Sequence, residues 1–300
     1  MLSNEQLAFY NENGYLQLDG FLQGEQLVRL QRASDELVQV SKLFKSGDDG
    51  YDFEPDHTPQ SPKPRRISRT RYTEPIFEEL NTDPRILGIA SQIIGPNIRT
   101  SLAAIINDPA DTRLYGLKVN IKWPAVSTPF EWHQDWAFLP HTNDDLMVFA
   151  IMIDDVGESS GPLMVIPGSH KVEVHDHHNK GYFCGGIDPT RCGIDFSKAV
   201  ALTGRAGSVH IHHTRMVHGS GVNTSDSVRR IFFIDYAAAD AWPLVGVSNL
   251  ETFNARMIQG EPTTMPRLEN VPVRMPMPAR VVGEPIFVQQ EGLAERYFQR

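Results

Sequence analysis

The apolar residues of this 300-residue chain change their period near residue 98, and that change limits the folds open to it. Before it, apolar residues recur at helical spacing. After it, they fall into short alternating or continuous runs separated by turn residues, as β-strands do. Leu114–Trp123 and Phe130–Phe138 alternate, while Leu146–Ile153 and Pro162–Ile166 are continuous, as strands buried on both faces would be. Strands return at Ser208–Ile211 and Arg229–Ala237. Helices followed by many antiparallel strands predict an α+β, mainly β domain built around a sandwich or barrel.

The first third of the chain has clear helix punctuation. Ser3, with Glu5 and Gln6 after it, is a helix start; Leu7, Phe9 and Tyr10 supply an apolar side, and Gly14 is the stop. Tyr15–Asp19 reads as a short strand, and Gly24 to about Lys42 as a second helix carrying Leu27, Leu30, Leu37 and Val38. Residues 46–74 lack any period and read as a lid-like loop, and a further helix fits residues 74–94. The chain therefore reads as a single domain over 1–300. It has a helical part (1–97), a β core (98–239) with a His-, Gly- and Asp-rich insertion (171–200), and a proline-rich tail (240–300) that wraps it.

Composition removes several functions. A net charge of −9 without a basic block argues against sequence-independent nucleic-acid binding. The two cysteines, Cys184 and Cys192, have neither disulfide-framework nor zinc-ribbon spacing, which points to a reducing, cytoplasmic compartment. The start is polar from its third residue, so no signal peptide is expected, and no apolar run approaches the ~20 residues of a membrane helix. A homodimer is compatible with everything in the sequence.

Chemistry enters at Trp132-His133-Gln134-Asp135-Trp136. On a strand, His133 and Asp135 project to the same side. They would supply two thirds of the facial triad of two histidines and one carboxylate that binds iron(II) in oxygenases. In a chain with 11 histidines a lone His-x-Asp proves little, and taken alone it is better explained by a histidine near the surface hydrogen-bonded to an aspartate. His218, where the strand after Gly207 runs into Gly219-Ser220-Gly221, supplies the missing ligand. Arg229 or Arg230 on the next strand suits the far carboxylate of a metal-chelating oxoacid, which calls for a buried bidentate cation. Alternation alone does not choose between the two arginines.

These segments, together with Gly161-Pro-Leu-Met-Val-Ile-Pro-Gly-Ser-His170 and the early Asn13-Gly-Tyr-Leu16, resemble the phytanoyl-CoA dioxygenase family, which also includes ectoine hydroxylase and many natural-product oxygenases. The resemblance covers roughly residues 3–25 and 114–237 and is weak over 43–113 and the tail. It implies a double-stranded β-helix, a cupin-like jelly roll with helices packed outside. It implies iron(II) held by His133, Asp135 and His218, and 2-oxoglutarate and dioxygen as cosubstrates. The family spacing selects Arg229, with Ser220, for the far carboxylate, and Asn120 as a further cosubstrate contact. An intact Asp135 implies hydroxylation, because halogenating relatives carry a small residue there so that chloride reaches the iron.

The expected activity is therefore oxidation, by hydroxylation, of a small-molecule metabolite or natural-product intermediate, with release of succinate and carbon dioxide. Desaturation, epoxidation, rearrangement, endoperoxidation, an acyl-CoA substrate and a non-enzymatic metal-binding jelly roll are the alternatives. Lys118 shares the face of Asn120 and is a candidate substrate contact; Trp136, near the mouth, is a second. The basic run Arg65–Arg71 divides evenly between an anionic-group contact and a solvated loop. His210 and His212 share a strand face and are expected to line the barrel or make structural hydrogen bonds, with His213 opposite. His175-Asp-His177-His178 is expected to be a solvated loop, and Gly161–His170 a structural strand and turn.

Overall fold

Ser3 begins the first helix through a reciprocal cap: its hydroxyl accepts the Gln6 amide, and the Gln6 side chain accepts the Ser3 amide. The computed structural model describes residues 1–45, 50–68, 75–101, 117–247, 249–278 and 286–298. Helix α1 (Asn4–Asn13) ends at Gly14, whose φ of 77° is left-handed. A side chain there would strike the His170 ring, so the Gly161–His170 block buttresses the first turn of the chain, as its structural reading requires.

The remaining helices are α2 (Gly24–Val40), α3 (Ile76–Asn81), α4 (Pro84–Ile94), α5 (Leu250–Asn254) and α6 (Ile286–Gln290). The helix expected over 74–94 is two helices. Asp83 caps the second through the Arg85 amide and Pro84 opens it, so the chain restarts there rather than continuing. No described helix is long and apolar enough to cross a membrane.

In chain order the first strands are β1 (Tyr15–Leu18), β2 (Tyr51–Phe53), β3 (Pro64–Ile67), β4 (Ile98–Thr100) and β5 (Leu117–Lys122). Next come β6 (Phe130–His133), β7 (Leu146–Met152), β8 (Leu163–Val165), β9 (His178–Asn179) and β10 (Tyr182–Phe183). The last are β11 (Val200–Leu202), β12 (Val209–His213), β13 (His218–Ser220), β14 (Arg229–Ala238) and β15 (Met257–Gln259). All but β9 and β10, which form a separate two-stranded sheet, make a jelly roll of two sheets. The larger runs β1-β12-β7-β14-β5-β3-β2, with β4 attached to β14 and β15 to β4; the smaller runs β11-β8-β13-β6.

The large sheet separates two environments by alternation. Phe149, Ile151, Val119, Ile121, Val209, Phe232 and Ile234 join the main core, together with Leu30 and Leu37 of α2 and Ile86 and Ala90 of α4. The opposite face holds a small apolar cluster of Val148, Ala150, Ile231 and Phe233. That interior face also carries the polar alternates Lys118, Asn120 and Lys122 of β5, His210 and His212 of β12, and Arg229 and Asp235 of β14. Burial on both faces is why β7 and β14 read as continuous apolar runs.

Three segments differ from their expected form. Part of 46–74 is a hairpin: β2 pairs β3, and β3 extends the large sheet beside β5. Stacking of Phe44, Tyr51 and Phe53 anchors it, a tertiary contact invisible to periodicity. Arg69 and Arg71 of the basic run lie outside the described residues, as do Leu114–Gly116 of the first alternating run. Of that basic run, Arg66 pairs with Asp52 at 2.8 Å. The insertion 171–200 contains the β9–β10 hairpin, and in the tail β15 pairs with β4.

Candidate metal centre

Strand β6 stops at His133, and Asp135 opens a single turn of 3-10 helix. The two side chains therefore do not converge through strand alternation, as the sequence suggested. The chain turns after the strand and brings the carboxylate back. His218 on β13 is the cross-strand partner of His133. One ligand atom each from His133, Asp135 and His218 lie within 4.8 Å of one another. The carboxylate oxygens of Asp135 stand 3.7 Å from His133 Nε2 and 3.8 Å from His218 Nε2.

Both imidazoles are oriented by their own backbone. His133 Nδ1 lies 2.7 Å from the Glu131 carbonyl, and His218 Nδ1 lies 3.0 Å from that of Met216. A carbonyl can only accept, so each Nδ1 carries the hydrogen and each Nε2 keeps its lone pair for a metal. Burial, reinforced by His218, pushes the His133 pKa down to about 3, so the ring is neutral at physiological pH. Burial pushes the Asp135 carboxyl up, but His218, His212, Lys118 and His133 outweigh it and hold the group ionised. Two imidazoles that present Nε2 and one carboxylate fit iron(II).

The turn between the ligands is bolted down by a segment that the sequence reading left in solvent. Gln134 is fully buried. Its amide donates to His177 Nε2 at 2.9 Å, its side-chain oxygen accepts the His175 amide at 2.9 Å, and its side-chain nitrogen donates to the Arg215 carbonyl at 2.8 Å. His177 is buried, with its other nitrogen on the His175 carbonyl. The His-rich insertion therefore folds onto the metal turn; the solvated-loop expectation is corrected for His177. Its polar composition was misleading because the polar atoms are spent on buried backbone groups.

Below the ligands, the interior face is polar. Arg229 is 3% exposed, donates from Nη2 to the Gly161 carbonyl, and its buried Nε has no partner among the described residues. Burial lowers its pKa to about 9. Arg230 points to the other face and pairs with Asp154 and Asp35, so side-chain packing separates the two arginines that alternation could not. Asn120 faces inward, its buried Oδ1 without a partner among the described residues. Ser220 is buried. Lys118 Nζ lies 3.3 Å from Asp235 Oδ2 and 5.6 Å from the Phe233 ring centre.

His210 and His212 line this interior. Among the described residues no ring nitrogen of either has a hydrogen-bond partner, and His212 Nε2 stands 3.7 Å from Asp135. His213 is opposite, close to Asp144. Trp136 departs from its expected place in a substrate wall. It is 1% exposed in the main core and its indole donates to the Pro272 carbonyl. Trp132 is core, packed on Phe196, Tyr297 and Phe298. Sequence reasoning passed over Lys122, although it completes the i, i+2, i+4 row with Lys118 and Asn120. That row was the available signal.

Comparison with known proteins agrees with this architecture. The family described as phytanoyl-CoA dioxygenase matches residues 10–231. A probable alpha-ketoglutarate-dependent hypophosphite dioxygenase of Stutzerimonas stutzeri is 33% identical over 298 residues, spanning 98% of this chain and 99% of that protein. Ectoine dioxygenase of Halomonas elongata is 27% identical over 256 residues, 80% of this chain and 71% of that protein. The solved structure of a non-haem, alpha-ketoglutarate-dependent carbocyclase of nogalamycin biosynthesis superposes with a TM-score of 0.61 at 25% identity, covering 87% of this chain and 93% of the other. The chain belongs to the phytanoyl-CoA dioxygenase family.

Proposed function

We propose that this chain hydroxylates a small polar or anionic molecule, with His133, Asp135 and His218 as its iron ligands. As a member of its family it is an iron(II)- and 2-oxoglutarate-dependent dioxygenase. Bound iron with 2-oxoglutarate and dioxygen supplies the oxidising power, with succinate and carbon dioxide released. The observation that carries the ligand assignment is the pair of backbone-fixed imidazoles whose Nε2 atoms converge on Asp135.

In this reading Arg229, Ser220 and Asn120 hold 2-oxoglutarate, supported by the buried Arg229 Nε and Asn120 Oδ1, which have no partner among the described residues. Lys118, on the same face and beside Asp235, contacts the substrate. The long match to a hypophosphite dioxygenase makes a small oxyanion the first substrate class to try. Residues 1–300 act as one oxygenase unit, supported by a core that runs from Leu2 to Ala241. A cytoplasmic site of action is in keeping with two free cysteines.

The test is succinate release from 2-oxoglutarate under air with iron(II), over a panel of phosphorus oxyacids, small zwitterions and acyl thioesters. Product analysis separates hydroxylation from desaturation or rearrangement. Replacing His133, Asp135 or His218 by alanine should abolish turnover; undiminished succinate from all three variants would sink the ligand assignment.

A further inference from the structure

Two cations lie side by side inside the jelly roll, and among the described residues neither has an acidic hydrogen-bond partner. Lys122 and Arg229 are register neighbours on β5 and β14, 1% and 3% exposed. Among the described residues, every hydrogen-bond acceptor of either is a backbone carbonyl. Arg229 donates to Gly161. Lys122 Nζ donates to Thr128 at 3.1 Å, Ser220 at 3.3 Å and Gly221 at 2.5 Å.

Burial, and then repulsion from Arg229, pushes the Lys122 amine down. The donor count works against this. Three carbonyls need three hydrogens, and a neutral amine has two. The ammonium is therefore the form the geometry satisfies. Two adjacent buried positive charges, which Glu54, Glu131 and Asp154 offset without hydrogen-bonding to either among the described residues, are costly, so the place favours a bound anion.

The surroundings are tight. Gly161 has φ +68°, and a side chain there would lie 2.7 Å from the Gly221 carbonyl and 2.8 Å from Lys122 Cδ. Lys122 cannot move without disturbing the Ser220–Gly221 turn or the Gly161 carbonyl that holds Arg229.

We propose that Lys122 is a positioning residue of the cosubstrate pocket: it pins the Ser220–Gly221 turn beside Arg229 and adds the second charge that selects an oxoacid with a distant second carboxylate. This rests on the 2-oxoglutarate reading above. Because its three hydrogens are engaged by carbonyls, Lys122 acts through its charge and through the turn, not by touching the cosubstrate.

The experiment titrates the anaerobic iron(II) protein with 2-oxoglutarate and, separately, with 2-oxobutyrate, which has the same chelating head and no far carboxylate. The weak visible charge-transfer band reports binding. Lys122→Met should weaken 2-oxoglutarate by about tenfold or more and 2-oxobutyrate by less than about twofold, with iron affinity unchanged. Lys122→Gln keeps a donor without the charge, should show the same loss of selectivity, and carries the test should the Met variant not fold. Equal weakening of both acids, or no change in either, overturns the proposal. No band with either acid on the unaltered protein overturns the 2-oxoglutarate reading and this proposal with it.

Discussion

His218 stands directly opposite His133 in the β13–β6 ladder, with the two ring centres 4.2 Å apart. Residues 85 positions apart in sequence are thus made neighbours by strand pairing, and each ring is then turned by a carbonyl two residues before it. The site inherits its geometry from the ladder rather than from a flexible loop.

Metal affinity should depend on all three ligands unequally. His133→Ala and His218→Ala each remove a preoriented Nε2, and the loss should exceed the roughly 10–100-fold typical of outer-shell changes. Asp135→Ala also removes the negative charge that faces His133, His212 and His218. Cobalt(II) or iron(II) titration by absorption measures each. A variant binding metal like the parent would exclude that residue as a ligand.

His177 should matter without touching metal. His177→Ala leaves the buried Gln134 amide unsatisfied, at a cost of about 1–3 kcal/mol in stability. Metal affinity should fall by about tenfold, because the turn that carries Asp135 loses its anchor. His177→Gln restores an acceptor and should recover part of both. Denaturant unfolding and metal titration on the same samples distinguish a local from a global effect.

The adjacent arginines should separate cleanly. Arg229→Gln should raise the half-saturating 2-oxoglutarate concentration by an order of magnitude or more, since charge-assisted pairs to carboxylates are worth roughly 1.5–3 kcal/mol, while metal affinity holds. Arg230→Gln loses the contacts to Asp154 and Asp35 on the outer face and should lower stability only. Equal effects on cosubstrate affinity from both would contradict the inward assignment of Arg229.

Acid should destabilise the metal-free protein over a defined window. Burial lowers the pKa of both His141 and His177 from 6.5 to about 4. Between those values the unfolded chain binds more protons than the folded one, so stability is complete above pH 6.5 and is lost as pH falls toward 4. Each such histidine contributes a slope of up to about 1.4 kcal/mol per pH unit. Urea midpoints at successive pH values measure it, and His141→Gln, remote from the ligands, should flatten the curve. An unchanged slope in that variant would remove His141 from the account.

Local chemistry made much of the fold legible. The Ser3–Gln6 cap, the Gly14 stop, the apolar runs of β7 and β14 and the family-like blocks around His133, Gly161 and His218 are written in adjacent residues, where capping, turn formation and period act. The hairpin 51–67 was not legible, because it depends on Phe44 stacking under Tyr51. Nor was the break at Asp83 within one apolar stretch, although Pro84 was its local signal.

The sequence by itself determined the donor set: two histidines, one aspartate and an inward-capable arginine at spacings that a jelly roll can bring together. The tertiary structure decided which of their neighbours serve them. It turned Arg229 inward and Arg230 outward, put Trp136 into the core, laid Lys122 beside Arg229 and closed His177 onto Gln134. Donor identity belongs to single residues, whereas desolvation and hydrogen-bond satisfaction belong to pairs distant along the chain, and only packing makes those pairs.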